Sequence, residues 1–350
     1  MDTEYAVRFH RAIGTGHHVA SPLGAWLLIA MSGAASDAAA ARASALLDTP
    51  HPLIGAASAW WHRPPHDPRL PAGLPRTTAT GPLPGQAGLD RWARDHTFGL
   101  IDSFPLTLTD DVALILASAL ATRISWRQPF EEAPAASLGP DSPWAGRLTT
   151  VLRSPAAGHR ATIADSPRAG RVIVHEAGAD GLRVLSVAAE PQVTPDRVLA
   201  AAYDADWTPV PPAGVPVGET PLYRVWEEPR AAKPGEFVHA VLPAWSASSH
   251  HDLGGDDFGF AAVARALGAQ RFAAAQSAVA RYDRYGFEAA ATSAFASLTS
   301  FTPPGPARFA ELRFGHPYAV VAVATQPGGP WDGVPVFSAW VADPQATPPV

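Results

Sequence analysis

No cysteine occurs anywhere in the chain, so neither disulfides nor thiol chemistry contributes to what it does. Lysine is almost as scarce: Lys233 is the only one, and the remaining basic residues are arginines. With many alanines and 37 prolines, that bias reads as coding preference more than function. Charged residues make up 17% of the chain, and a net charge of −6 leaves no basic face to neutralise phosphates, which argues against a nucleic-acid binder. No apolar run is long enough to span a membrane; residues 25–35 come nearest and are too short. That run ends in small residues like a leader's cleavage region, but it begins too late, and Met1-Asp2-Thr3-Glu4-Tyr5 lacks a leader's basic start. The expectation is a leaderless or cytoplasmic protein, with an extracellular location left open. A Gly-x-Ser-x-Gly elbow, a phosphate loop and a dinucleotide fingerprint are absent as well, so no motif marks an enzyme.

What is present supports a sizeable core. The 350 residues are 47% hydrophobic, enough for one large domain or two. Tyr5, Val7, Phe9 and Ile13 give a first helix its apolar side. Ser21-Pro22 opens a second, with Ser as N-cap and Pro in the first turn, and it is apolar nearly all round. A short helix is expected over 38–47 and a strand over 53–61, with only His51-Pro52 between them. Residues 64–88 are rich in Pro, Gly and Thr and read as loops with a short strand over 76–80, the alternative being a linker between two domains. A helical pattern runs from Asp90 past Gly99, and a buried strand follows at 112–117. Short strands at 148–152, 171–175 and 182–187, separated by Pro and Gly, predict an antiparallel β region. A helix over 193–202 starts at Thr194-Pro195, 209–216 is irregular, and another short helix covers 257–267.

The thirteen histidines raise the question of a metal. His62 and His66 are separated by Pro64-Pro65, which prevents one helical face, and His250-His251-Asp252 with Asp256-Asp257 has no specific ligand spacing. They read as solvated loop histidines, and no metal or cofactor is expected.

The most informative stretch is 278–300. Residues 279–284 alternate as a strand does, Gly286 frees the backbone, and the run Ala289, Ala290, Ala291, Thr292, Ser293, Ala294 leads to Thr302-Pro303-Pro304-Gly305-Pro306. Gly286-Phe287-Glu288-Ala289-Ala290-Ala291-Thr292 resembles the hinge of the serpins. Phe314-Gly315-His316-Pro317-Tyr318 is similar to their Phe-x-x-Pro-Phe, and Ile124-Ser125-Trp126-Arg127-Gln128-Pro129-Phe130 to their Lys-Gly-x-Trp-x-x-Pro-Phe. Residues 237–243 resemble the strand ending in Leu-Pro-Lys, with Ala244 in place of Lys. The matches run in order along almost the whole chain, like a divergent, compact member of bacterial type.

The resemblance implies a serpin-like α+β fold in one domain over 1–350: a large mixed β-sheet with an exposed reactive loop at about 286–313, a second β region and about seven helices. It implies inhibition of a serine protease by cleavage of that loop and its insertion as a strand, by a monomer without its own catalytic residues. The scissile bond is expected among Leu298, Thr299, Ser300 and Phe301. Leu298 and Phe301 suit a subtilisin- or chymotrypsin-like pocket, and no Arg or Lys lies between Gly286 and Pro306. Sheet-opening positions map to His17, Ser21, Gly24, Ser118, Trp126 and Gln276, where several of the family's usual polar residues are replaced. The alternative is a non-inhibitory relative, kept as a binding scaffold or recruited to a new, enzymatic role.

Overall fold

The computed structural model of the chain describes residues 1–63, 74–110, 112–122, 124–268, 272–287 and 305–344. Helix α1 (Thr3–Ile13) is capped by Asp2, whose carboxylate accepts the Tyr5 amide at 2.7 Å. It leads through strand β1 (His18–Ala20) to α2 (Pro22–Met31), where Ser21 Oγ accepts the Gly24 amide at 3.1 Å. Helix α3 (Asp37–Asp48) follows, then strands β2 (Ile54–His62) and β3 (Ala79–Pro82). Helix α4 (Gln86–His96) begins four residues before the expected Asp90. Gln86 and Asp90 both accept amides from the returning chain, Leu108 at 2.8 Å and Phe104 at 2.9 Å. Phe98 and Gly99, at φ 54° and 76°, end the helical pattern that was expected to run on.

Strand β4 (Leu114–Thr122) and its continuation β5 (Ile124–Ser125) come next, followed by β6 (Glu131–Pro134) and β7 (Thr150–Arg153). Strands β8 (His159–Ser166), β9 (Gly170–Ala179) and β10 (Leu182–Ala189) run as a meander into α5 (Pro195–Asp204). Beyond it lie β11 (Thr208–Val210), inside the stretch expected to be irregular, then β12 (Gly218–Glu219) and β13 (Tyr223–Ala231), neither of them foreseen. Strands β14 (Gly235–Leu242) and β15 (Trp245–Asp252) precede α6 (Phe260–Ala266). The chain closes with β16 (Ala275–Tyr282), β17 (Gly286–Phe287), β18 (Gly305–Arg313), β19 (Tyr318–Ala324) and β20 (Pro335–Val341). The described residues hold six α-helices, one fewer than expected.

Two sheets organise the molecule. One is antiparallel, in the order β1-β20-β19-β10-β9-β8-β11; the other is mixed, in the order β12-β13-β18-β14-β7-β6. Strand β19 is buried at every residue, as its run Tyr-Ala-Val-Val-Ala-Val-Ala requires. Its Val320 packs in the main core with Leu23 and Leu27 of α2, while Val321 meets Val198 and Leu199 of α5 on the opposite face. The expected loop of 286–313 is shorter than the sequence implied. Residues 305–313 are strand β18, held on both edges, antiparallel by β13 and parallel by β14. No helix among the described residues is long and apolar enough to cross a membrane.

The third β region is divided. Strands β3-β2-β4 form one half and β15-β16 the other, and among the described residues no pairing joins β4 to β16.

Candidate functional site: a slot between two half-sheets

The gap between β4 and β16 opens into a cavity of about 940 Å³, lined by both strands and by residues of α2, α4 and α6. The inner edges of β4 and β16 present backbone N–H and C=O groups across this gap, an arrangement that accepts a further strand.

At the mouth of the slot the chain turns sharply. The Asp283 amide donates to the Gly286 carbonyl at 3.1 Å, while the Asp283 carboxylate accepts the amides of Tyr285 and Gly286 at 2.8 and 3.1 Å. The turn reverses the chain, so that β17 runs antiparallel to β5, with Gly286 facing Ser125 and Phe287 facing Ile124. Gly286 is required by proximity, not by its dihedral angles. A Cβ there would overlap the Ile124 carbonyl oxygen and stand 3.0 Å from Ser125 Cα. Both are backbone atoms and cannot rotate away. Replacing Gly286 by Ala is therefore expected to detach β17 from β5 and to lower stability by about 1–3 kcal/mol. A thermal melt of Gly286→Ala indistinguishable from wild type would show that the hinge pairing contributes nothing.

The Trp126–Phe130 segment clamps this turn. Trp126 donates its indole N–H to the Asp283 carbonyl at 2.9 Å and its amide to the Tyr285 carbonyl at 3.0 Å. Phe130 exchanges bonds with Arg284, amide to carbonyl at 2.9 Å and guanidinium to carbonyl at 3.0 Å, and Arg284 also pairs with Glu132 at 3.1 Å. Trp126, Phe130 and Tyr282 pack ring to ring with centroids 5.0 to 6.1 Å apart. The conspicuous Trp and Pro-Phe spacing thus has a local cause: it grips the end of β16 where the slot begins.

Halfway down, four of the expected sheet-opening positions meet. Gln276 accepts the Ser21 amide and donates to the Ser21 carbonyl, both at 2.8 Å. Ser118 donates to the Gly24 carbonyl at 2.8 Å, and a Cβ on Gly24 would stand 3.3 Å from Ser118 Oγ. Ser21 Oγ donates to the Val336 carbonyl at 2.7 Å. His17 is elsewhere: its Nε2 donates to the Ser246 carbonyl at 3.0 Å and its ring stands edge-on to Trp245. Phe287 is placed by β17; Glu288, Ala289, Ala290, Ala291 and Thr292 and the scissile candidates Leu298, Thr299, Ser300 and Phe301 lie outside the described residues.

His250 is exposed, as a solvated histidine should be, but several other histidines are not solvated loop residues. His250 and His251 are adjacent in β15 and so face opposite ways; His251 is buried and donates to the Val19 carbonyl at 2.8 Å. His10 and His18 form a buried pair, Nδ1 to Nε2 at 2.7 Å, extended by Ser338 Oγ at 2.6 Å from His10 Nε2 and by Tyr203, which donates to Ser338 at 2.7 Å. A second pair, His159 and His175 at 3.1 Å, lies against Phe130, and His159 Nε2 donates to the Gln128 carbonyl at 2.8 Å. Burial holds all four below the usual imidazole range, His18 and His159 to about 4. Their depth was not visible in the sequence, where none falls on a recognisable apolar face. No group of three or more His, Asp or Glu that could hold a metal occurs among the described residues.

No protein-family model matches the chain, and no curated protein matches it. Solved structures do. Human thyroxine-binding globulin, complexed with thyroxine, superposes with a TM-score of 0.61 at 13% identity, covering 98% of this chain and 96% of that one. A thermophilic serpin, tengpin, in the native state gives 0.61 at 11%, covering 97% and 92%. A serpin from the trematode Schistosoma haematobium gives 0.57 at 13%, covering 98% of both.

Proposed function

We propose, from the premise that this chain has the serpin fold, that it inhibits a serine protease by feeding its cleaved loop into the slot between β4 and β16. The carrying observation is the hinge at the mouth of a slot that no strand among the described residues fills, with Gly286 and Phe287 already paired to β5. In this reading the protease's serine oxygen attacks a loop carbonyl, the peptide C–N bond breaks, and the new amine leaves. The loop's N-terminal part remains bound to the protease as an ester. Insertion then competes with water for that ester.

The register supports the reading. A strand continuing β17 without a bulge runs antiparallel to both walls, with Ala294 reaching Ala275 at the end of β16 and Ser297 reaching Leu114 at the end of β4. Leu298 to Phe301 would then lie just past the end of the slot, where an attached protease has room. In the same register Ser293 would come level with both Ser118 and Gln276, adding a hydroxyl to their polar cluster. Phe287, Ala289, Ala291 and Phe295 would share its inward face, and Glu288 would face out.

The test is to incubate the protein with subtilisin-like and chymotrypsin-like proteases and run denaturing gels. A denaturant-resistant adduct is expected. Clean cleavage without an adduct would select the second reading, a binding protein on this fold, which the thyroxine-bound globulin among the similar structures supports.

A further inference from the structure

The hairpin of β13 and β14 encloses β18, and its tip lies beside the point where the loop re-enters the sheet: Ala231 pairs with Gly305. Between Glu228 and Ala231 the register shifts by one residue, so that Pro229 and Arg230 oppose Pro306. Neither proline has an N–H for the ladder, and a bulge at that place bends the strand and re-aims Arg230. The arm behind the tip is stiff. Trp226, Phe309 and Phe237 stack across three adjacent strands, each centroid 5.2 Å from the next and the planes within 14° and 21° of parallel.

Charge at the tip is unevenly engaged. Glu227 pairs with Arg308, Glu236 accepts the Ala213 amide at 3.0 Å, and Glu228 accepts the Trp226 indole N–H at 3.4 Å. Arg230 and Lys233 are exposed and have no carboxylate partner among the described residues; Lys233 lies 5.8 Å from the Phe237 ring. Lys233 is also the sole lysine of a chain with net charge −6. Two cations with no carboxylate partner among the described residues, on a stiff arm beside the exit of the loop, are placed to meet whatever binds that loop.

We propose that the β13–β14 tip is a secondary docking site, through Arg230 and Lys233, for a protease whose substrate cleft is rimmed by carboxylates. This rests on the reading that a protease attacks the loop, and it names a surface feature of that protease. The contact acts during encounter, before cleavage. It therefore raises the association rate and leaves the fate of the acyl-enzyme unaltered, because the tip lies outside the slot.

The experiment takes, from a panel of subtilisin-like and chymotrypsin-like proteases, the one that cuts the loop fastest, and measures the second-order rate of cutting by mass spectrometry. In low salt, Arg230→Glu/Lys233→Glu is expected to cut about tenfold more slowly than wild type. Near 1 M salt, where screening acts within about 3 Å, the two should converge. Arg42→Glu/Arg91→Glu, with the same net charge but exposed positions on α3 and α4, should keep the wild-type rate. The fraction of cuts that end in adduct should be equal in all three. Equal rates in low salt, or an equal loss in the control pair, would overturn the docking site. Cutting without any adduct would remove the inhibitor reading while the rate ratio still decides this one. A loop that no protease cuts would remove both.

Discussion

A single cut in the loop is expected to raise the unfolding midpoint by about 15 °C. A strand inserted in the register set by β17 would run alongside β4 (Leu114–Thr122) and β16 (Ala275–Tyr282), about eight residues on each side. Its insertion forms about a dozen backbone hydrogen bonds at roughly 1 kcal/mol net each, or roughly 10 kcal/mol after losses at the ends. For a chain of this length the entropy of unfolding is about 0.7 kcal/mol per degree, which converts that gain into about 15 °C. The residues available to insert are small, Ala289 to Ala291 and Ser293 to Ala294, so overpacking subtracts little except at Phe287 and Phe295. Calorimetry of the intact protein and of protein nicked between Leu298 and Phe301 makes the comparison. An unchanged midpoint would mean that the slot rejects the loop, and the binding-protein reading would lead.

Acid is expected to act on the opposite side of the balance. His18 and His159 are held at about 4 by burial, against about 6.5 in the unfolded chain. Above pH 6.5 both states are neutral and the stability is fully present. Between pH 6.5 and about 4 the unfolded chain binds the protons first, so stability falls as the pH drops through that window. Each of the two contributes about 3 kcal/mol over the whole range and about 2 kcal/mol by pH 5. His10 and His175, fully buried and shifted the same way, add to the slope. Urea denaturation at pH 7.5 and pH 5 reads the difference. Equal midpoints would show that these imidazoles titrate normally and are hydrated in the fold. Since His159 donates to Gln128 beside the Trp126–Phe130 clamp, the variant His159→Gln should lose about half of the pH dependence assigned to His18 and His159.

The parts of this molecule that could be read from its sequence are those with local causes. Ser21-Pro22 caps a helix, and 318–324 is apolar throughout and is buried. What escaped depends on partners distant in the chain. The segment Glu227-Glu228-Pro229-Arg230 carries no strand pattern of its own, yet it belongs to β13, because β18 arrives alongside from some eighty residues later. The His-His-Asp end of β15 was misread for the same reason: its pairing with β16 is non-local. The slot is a pairing that does not form among the described residues, and alternation within a strand carries no sign of that. Of the sheet-opening positions, Ser21, Gly24, Ser118 and Gln276 meet around one point. His17 does not, because its neighbour His18 turns inward to His10 and leaves it facing the Ser246 carbonyl.

The enclosure of β18 bears on how long the intact molecule keeps its poise. A loop tethered at both ends enters the slot fully only if its far end follows, and here that end is the start of a nine-residue strand laced to β13 on one side and β14 on the other. Pulling it free breaks two ladders at once, and the Trp226-Phe309-Phe237 stack with them. The near end is held by two residue pairs and a turn. Spontaneous ageing into a self-filled form therefore meets a high barrier that a single scission removes. On the proposed inhibitor reading the molecule would be a one-shot device whose shelf life is set by this enclosed strand and not by the slot at its centre.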